Sequence, residues 1–511
     1  MNLSLLASFL AMHTSTRARV GAVRAALRTP AGPLLREELG KWVTATLPAE
    51  TVVPEIYAAW RPLVRDAMLF MITHLSAARL APKLVEQAEL PASTAPEQRL
   101  LRLIAKVPGL QKIGQVLAHN RHLDPALSSA LSELENGIAD VDAAAIRALV
   151  RKQLGPLLRT YEVELAPGLL AEASVSAVMQ FTWRNPATGE RERGVFKVLK
   201  PYVPACFAED LELLQQLAHY LAEKHPEYGH ALPDTIMEVR RLLVHEVDFT
   251  REQATLAEVA PLYKPVRGVR VPQLIAPLSS ASITALSEED GVKVTAALAD
   301  TPGRERKRAA ERLIEALIAV PLLARAERAV FHADPHAGNV LYDKRTGDLV
   351  LLDWALTERL TRDERRHVAM LALMLGLRDP VGVCGEIEAL AARPLPAKHD
   401  RFMRRYVDRF VRQLPFTRLP GSLDAMRLLD RLALEGVRFP SGLMMFRKVL
   451  FTLDGILHDI AAPNLRMDLV IARRLLARSP LSLLDWIGVE SSALLYGARL
   501  WVQWSQSLLN W

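Results

Sequence analysis

The sequence predicts an α+β fold in which a small antiparallel sheet is followed by a larger helical region. Between residues 161 and 199, short apolar strands alternate with loops, and the turn Asn185-Pro186-Ala187-Thr188-Gly189 is typical of a hairpin. Helical periodicity covers residues 16–92 and again the chain from Asp353 to about Arg478. Because the strands cluster in one part of the chain, an α+β class is favoured.

Composition limits the classes of protein that fit. The 511 residues suffice for two or three domains, and half of them are hydrophobic, which is enough for sizeable cores. Cys206 and Cys384 lie far apart, so the sequence predicts no disulfide framework and fits a reducing compartment. The net charge of +7 suits nucleic acid or an anionic membrane surface. The arginines are spread along many predicted helices, and no basic stripe interleaved with aromatic residues stands out. We therefore expect an anionic membrane surface as a partner and no nucleic acid.

Five segments are predicted along the chain. Residues 1–95 form an N-terminal helical region in which Pro48 and Pro54 interrupt helices, and the stretch from Leu90 to Pro96 is a linker. Residues 96–157 are a helical extension, 158–290 a small lobe with inserted helices, 291–480 a helical large lobe, and 481–511 a separate C-terminal helix.

The run Phe331-His332-Ala333-Asp334-Pro335-His336-Ala337-Gly338-Asn339, with Asp353 after the apolar residues 349–352, predicts a nucleotide and metal site. In kinase-type phosphoryl transfer, a loop aspartate faces the acceptor and an asparagine five residues later holds magnesium. A second aspartate links the metal to the phosphates. Asp334, Asn339 and Asp353 have that order and spacing, and such oxygen ligands suit Mg²⁺.

Two alternatives remain for this loop. His332, Asp334 and His336 resemble part of a zinc site of a metal-dependent hydrolase, although no second His-rich group stands out in the chain. In the second alternative, the run is a surface loop whose polar residues have no catalytic or binding role. Against this, apolar runs flank the loop and Gly338 is placed for a tight turn.

A kinase-like site also needs a lysine on a strand of the small lobe and a glutamate on a helix. Lys197 lies in an apolar strand and is either a phosphate-binding lysine or an edge lysine. The hairpin before it has the layout of a phosphate-covering loop built from alanine in place of glycine. The residues of this loop that we expect to contact nucleotide are Ala171, Ala173 and Ser174.

Together, four motifs resemble the UbiB/AarF (ABC1-type) group of atypical protein-kinase-like proteins, which is associated with ubiquinone biosynthesis. They are a KxGQ signature at Lys112 and Gln115, the alanine-rich loop from Ala171, an ExD motif at Glu246 and Asp248, and the FHxDxHxGN loop with its metal aspartate. The helix glutamate of the family falls at Glu252. The resemblance covers roughly Lys106 to Asp379, and it departs from the family at Trp354-Ala355, where the family has Phe-Gly.

This resemblance implies a protein-kinase-like two-lobed fold with a helical extension docked against the site. It implies that Lys197, Glu252, Asn339 and Asp353 hold ATP and Mg²⁺ and that Asp334 lies near the γ-phosphate. Lys112, Gln115, Glu246 and Asp248 would form an inhibitory lock, which favours an ATPase or small-molecule kinase supporting ubiquinone or isoprenoid lipid biosynthesis. The expected partners are ATP, a membrane lipid or isoprenoid quinone precursor, and a biosynthetic complex. Two alternatives stay open: a phosphotransferase for a small molecule or lipid headgroup, and a non-catalytic, nucleotide-gated, lipid-presenting scaffold.

The C-terminal segment predicts contact with a membrane. From Ser482 to Trp511 only three residues are charged, and the segment holds half of the tryptophans of the chain. Apolar residues fall on one helical face, which is typical of a helix lying in a membrane interface. Residues 1–12 lack the features of a secretion signal. The expected location is therefore cytoplasmic, peripherally associated with the inner membrane.

Overall fold

The computed structural model describes residues 12–53, 55–91, 93–112, 141–228, 231–415, 420–460 and 465–476. Within these residues the chain forms two compact units. Unit 1 comprises the described residues within 1–251 and 274–288, and unit 2 comprises those within 252–273 and 289–511. Gln115 and the predicted C-terminal helix, residues 481–511, lie outside the described residues.

The strands, in chain order, are β1 Glu164–Leu165, β2 Ala171–Glu172, β3 Ser176–Arg184, β4 Arg191–Leu199, β5 Val269–Arg270, β6 Ile283–Ser287, β7 Val292–Lys293, β8 Arg328–His332, β9 Val340–Asp343, β10 Asp348–Leu351 and β11 Thr357–Thr361.

The α-helices are α1 Thr16–Ala26, α2 Gly32–Thr46, α3 Ala49–Val52, α4 Arg61–His74, α5 Ala77–Glu89, α6 Pro96–Ile104, α7 Ala143–Thr160, α8 Val203–Lys224, α9 Ala231–Val247, α10 Phe249–Tyr263, α11 Val294–Leu298, α12 Gly303–Ile314, α13 Val320–Leu322, α14 Arg362–Gly376, α15 Pro380–Leu390, α16 Ala397–Gln413, α17 Ser422–Leu434, α18 Ser441–Asp459 and α19 Met467–Leu476. Between α12 and α13 the chain forms a π-helix, Glu315–Ala319.

Unit 1 contains an antiparallel sheet with the order β1-β3-β4-β6, and β2 also pairs with β3. The hairpin between β3 and β4 turns at Gly189, whose φ of 72° suits glycine. One sheet face is apolar because buried residues alternate along both long strands. Phe181 and Phe196 stack there with ring centroids 4.0 Å apart, in one core with Ile146 and Val150 of α7. The predicted hairpin and antiparallel sheet are confirmed.

A second core of unit 1 joins the N-terminal helices to α8 and α9. It includes Leu80, Leu84 and Leu217, all almost fully buried. Helix α5 ends at Glu89 and α6 begins at Pro96, and the stretch predicted as a linker lies between them. The N-terminal region is therefore helical because its apolar faces pack on one another, as the periodicity indicated.

Unit 2 is mostly helical and carries two small sheets. One has the order β5-β10-β9-β7, with β5 parallel to β10, and the other pairs β8 with β11. The expectation of a helical pattern from Asp353 to about Arg478 is wrong at β11, which precedes α14. A five-residue strand has little periodic signal of its own, and β11 exists through ladder pairing with a strand that lies earlier in the chain. Helix α14 then begins with a capping box between Thr361 and Glu364.

Helix α16 presents a basic and aromatic stripe that we did not identify in the sequence. Phe402 and Tyr406 stack with ring centroids 5.8 Å apart, and Tyr406 and Phe410 lie 6.2 Å apart. These three rings are half-buried, and Arg405 and Arg409 beside them are exposed. Rings four residues apart meet on one helix face, so the stripe follows from helical geometry.

Both cysteines are free and buried, and burial raises the pKa of the Cys206 and Cys384 thiols to about 11. They are therefore unreactive packing residues. Among the described helices, none combines the length and the apolar character needed to cross a membrane.

Candidate functional site

The predicted catalytic loop of unit 2 is organised by His332, the last residue of β8. This residue is 2% exposed. The Asp334 backbone N–H donates to His332 Nδ1 at 3.2 Å, and Nε2 lies 2.9 Å from the Leu352 carbonyl oxygen. These partners require the tautomer with the proton on Nε2. Burial lowers the pKa of His332, which keeps the ring neutral. His332 therefore ties the loop that carries Asp334 to the segment that carries Asp353.

Asn339 makes a second link between the same two segments. Its Nδ2 donates to the Asp334 backbone oxygen at 3.1 Å, and its backbone oxygen accepts the Leu352 N–H at 2.8 Å. With Nδ2 turned toward Asp334, the amide oxygen is the atom of this side chain suited to a cation. The hydrogen bond to Asp334 therefore fixes which side-chain atom of Asn339 could face a cation.

Asp353 adopts a left-handed backbone conformation, with φ of 52°. Such a conformation is uncommon outside glycine, although aspartate tolerates it, and strained residues concentrate at functional sites. Trp354 secures the turn, since its Nε1 donates to the Leu351 oxygen at 3.1 Å and its ring meets the His332 ring edge-on at 5.0 Å. The tryptophan that departs from the family pattern therefore packs behind the aspartate.

The donor set fits Mg²⁺. One carboxylate and one amide oxygen would leave coordination positions for water and phosphate oxygens, which is how Mg²⁺ is usually bound. Zinc fits poorly, because both ring nitrogens of His332 already have partners. Among the described residues, no group of three or more His, Cys, Asp and Glu side chains could hold a metal. The zinc interpretation is therefore unsupported.

His336 caps the short 3-10 turn that presents Asn339. Its Nδ1 accepts the Gly338 N–H at 3.1 Å. A Cβ on Gly338 would lie 2.8 Å from the His336 ring, so a larger residue at this position would displace that ring. The His336 and Gly338 of the motif are thus structural residues of the loop.

The Asp334 carboxylate has a cationic neighbour from a distant part of the chain. Lys448 Nζ, on α18, lies 3.0 Å from Asp334 Oδ1. We did not predict this lysine, because its only sequence signal is a charge in a mostly apolar helix.

In unit 1, Lys197 lies on the central strand β4, opposite Val178 of β3 and Thr284 of β6. The neighbours Phe196 and Val198 point into the core, so alternation along the strand turns Lys197 to the other sheet face. Its Nζ lies 5.6 Å from the centroid of the Phe249 ring. Glu252 is in the first turn of α10 and is 1% exposed. Its predicted ion pair with Lys197 stays a prediction.

The alanine-rich loop is anchored at two points inside unit 1. Ala173 N–H closes a turn to the Ser176 oxygen at 2.8 Å, and Ser174 Oγ donates to Glu246 Oε2 at 3.3 Å. Beside Ala171, Glu172 pairs with the buried Lys200 at 3.1 Å. Sequence analysis missed Lys200, although a second lysine three positions after Lys197 was a visible signal.

The KxGQ and ExD motifs meet within unit 1. The Lys112 ammonium donates to Glu246 Oε1, and the two side chains are only 9% and 14% exposed. Asp248 instead caps α10, where its Oδ1 accepts from Thr250 Oγ1 at 2.7 Å and from the Arg251 N–H at 3.0 Å. These bonds lower the pKa of Asp248. One carboxylate of the motif therefore holds Lys112 and the other begins a helix.

Comparison with known proteins agrees with these motifs. Residues 133–384 match the family model described as the ABC1 atypical kinase-like domain. A protein of Haemophilus ducreyi named probable protein kinase UbiB is 25% identical over 267 residues, 50% of this chain and 48% of that protein. The protein of the same name from Xanthomonas oryzae pv. oryzae is 26% identical over 301 residues, with coverage of 57% and 53%. The chain thus spans about half the length of these curated relatives.

Two further matches were found. The Synechocystis protein named uncharacterized protein sll1770 is 24% identical over 366 residues, 69% of this chain and 60% of that protein. Among solved structures, the complex of Rv3197 with erythromycin from Mycobacterium tuberculosis has a TM-score of 0.45 and 17% identity, with coverage of 69% of this chain and 87% of that one. The family match, the antiparallel sheet of unit 1 and the helical unit 2 confirm the predicted kinase-like α+β fold.

Proposed function

The chain belongs to the ABC1 atypical kinase-like family, and from this premise we propose that it binds Mg²⁺ and ATP and transfers the γ-phosphoryl group to water or to a small molecule. The observation that carries the proposal is the linkage of Asp334, Asn339 and Asp353 through His332 and two hydrogen bonds of Asn339. A surface loop with fortuitous polar residues does not account for the strained backbone of Asp353 directly after Leu352, whose carbonyl contacts the buried, neutral His332.

Each residue has a distinct part in this proposal. Asn339 and Asp353 bind Mg²⁺, which supplies charge neutralisation at the phosphates when bound. Lys197 binds phosphate oxygens, and Glu252 orients it. Asp334 accepts the proton of the attacking hydroxyl or water as the bond between the γ-phosphorus and the bridging oxygen breaks and ADP leaves.

The alanine-rich loop and the KxGQ motif favour hydrolysis or a small acceptor over a protein acceptor. Ala171, Ala173 and Ser174 have less backbone freedom than glycines, so the loop should contact phosphates in a different way. The partly buried Lys112–Glu246 pair joins Lys112 of the predicted extension to the ExD motif within unit 1. With Gln115 and Asp248, we propose that it acts as the regulatory lock that the family resemblance implies.

We further propose that the protein works at the cytoplasmic face of the inner membrane in the synthesis of ubiquinone or another isoprenoid lipid. The aromatic and arginine stripe of α16 supports this, because exposed arginines beside half-buried rings suit anionic headgroups. The partners would be a lipid or isoprenoid quinone precursor and a biosynthetic complex.

Calorimetric titration with Mg²⁺ and ATP tests the proposal. Asp353→Asn should lose nearly all binding and leave the thermal unfolding temperature of the free protein close to that of the parent, since asparagine tolerates the same left-handed backbone. Asp363→Asn is the matched control, because Asp363 is 78% exposed in the first turn of α14. Undiminished binding by Asp353→Asn would remove that residue from the metal site.

The nucleotide-gated, lipid-presenting scaffold is the second candidate, and the Lys448–Asp334 contact favours it, since the ammonium occupies the carboxylate that would otherwise accept a proton. Phosphate release with and without anionic liposomes distinguishes the two. An enzyme releases phosphate at a rate that Asp334→Asn abolishes, whereas a scaffold binds nucleotide equally with either residue and releases none.

A further inference from the structure

The position of Lys448 is fixed by the packing of its helix. Phe446, two residues earlier on α18, packs edge-on against Phe331 of β8, with ring centroids 5.4 Å apart. Both rings are almost fully buried. A Cβ on Gly442 would lie 2.6 Å from the Arg359 backbone oxygen, so glycine lets the helix approach β11 closely. The helix therefore carries Lys448 to the Asp334 loop through core packing, independently of the ion pair.

The ion pair itself gives little stability. The side chain of Lys448 is 45% exposed and that of Asp334 is 23% exposed, so solvent screens their attraction. A stabilising role thus does not explain why a lysine stands at this point. An ammonium on a flexible stem can, however, exchange one oxygen partner for another at a small cost.

The charges of the loop indicate which group could replace Asp334 as the oxygen partner of the Lys448 ammonium. The segments 332–339 and 352–355 contain no lysine or arginine, and they present the carboxylates of Asp334 and Asp353. A polyphosphate near them would be repelled unless cations stood nearby. In phosphoryl transfer the terminal phosphate carries most of the charge that must be stabilised. Lys448 stands beside Asp334, the residue expected at that phosphate.

We infer that Lys448 binds the terminal phosphate of the nucleotide, and that it holds Asp334 when no nucleotide is present. This inference rests on the proposed function. It assigns to the large-lobe helix α18 a phosphate-binding residue that lies outside the family motifs. It also explains how the acceptor-facing carboxylate is released: the ammonium leaves Asp334 for the phosphate, and the carboxylate then becomes available as a base.

The test compares affinities for a triphosphate and a diphosphate. Calorimetry with Mg²⁺ and either the imido analogue of ATP or ADP is run on the parent, Lys448→Ala and Lys448→Arg. Lys448→Ala should weaken binding of the triphosphate analogue by about tenfold, the factor for one lost charge-assisted hydrogen bond, and leave ADP affinity unchanged. Lys448→Arg should recover part of the loss. Lys398→Ala, which removes an exposed lysine from α16, is the control for net charge.

A second pair of variants separates phosphate binding from an effect through Asp334 alone. The loss caused by Lys448→Ala should persist in an Asp334→Asn background. Disappearance of the loss there, an equal loss for both nucleotides, or no loss at all would overturn the inference and leave the proposed function standing. A parent protein that binds neither nucleotide would overturn the proposed function, and the inference with it.

Discussion

Replacing Lys112 by methionine removes the ammonium of the Lys112–Glu246 pair and retains most of the apolar stem. Because the two side chains are 9% and 14% exposed, Glu246 would be left largely buried with only the Ser174 hydroxyl as a described partner of its other oxygen. Breaking a buried pair from one side costs about 3–5 kcal/mol, and we take the lower limit of about 3 kcal/mol because Ser174 remains. For a unit of this size, that corresponds to a fall of roughly 6–12 °C in Tm.

The assay is thermal unfolding followed by circular dichroism, combined with a double-mutant cycle. Glu246→Gln removes the buried charge, so the double variant Lys112→Met/Glu246→Gln should recover most of the lost stability. Lys106→Met is a matched control, since Lys106 lies in an exposed turn six residues before Lys112. A change in Tm below about 2 °C for Lys112→Met would refute the reasoning, because it would mean that solvent screens the pair.

The same variants address the proposed lock. If the pair restrains the extension, Lys112→Met should also change nucleotide affinity or the rate of phosphate release, and Lys106→Met should not. Parent-like values of affinity, phosphate release and autophosphorylation would argue against a lock and favour a plain phosphotransferase.

Three further predictions follow from separate features. Burial lowers the pKa of Lys83 from its ordinary value of 10.5 to about 7. Between pH 7 and pH 10.5 the unfolded chain therefore binds more protons at this lysine than the folded chain does, and the free energy of unfolding should rise with pH. Lys83→Met should abolish the resulting rise in Tm between about pH 7.5 and 9.5. Arg365 is fully buried, and its guanidinium donates to the carbonyl oxygens of Thr361, Ala324 and Ala326. Arg365→Lys should lower the free energy of unfolding in urea by about 3 kcal/mol, because an ammonium cannot reproduce these hydrogen bonds. An unchanged urea midpoint would show that water replaces the guanidinium at the carbonyl oxygens. Deleting residues 482–511 should shift the protein off anionic liposomes in a sedimentation assay, and full retention would rule out that segment as the anchor.

Local sequence patterns were sufficient to predict the elements that are specified by residues close together in the chain. The turn at Gly189 and the apolar strand that carries Lys197 were predicted because turn chemistry and hydrophobic patterning act over a few residues. The order and spacing of Asp334, Asn339 and Asp353 likewise identified the loop, since these residues lie on one short stretch of chain. Strand β11 was missed because its pairing partner lies elsewhere in the chain.

What the sequence by itself determined was therefore the fold class, the motif residues and the chemistry that their side chains permit. Only the tertiary structure decided which partners those side chains have. Lys448 reaches Asp334 because α18 packs on β8, Lys112 selects Glu246 while Asp248 caps α10, and Trp354 packs behind the strained Asp353. The physical reason is that hydrogen bonds and ion pairs between distant residues depend on helix and strand packing, whose free energy is spread over many apolar contacts that no local pattern encodes.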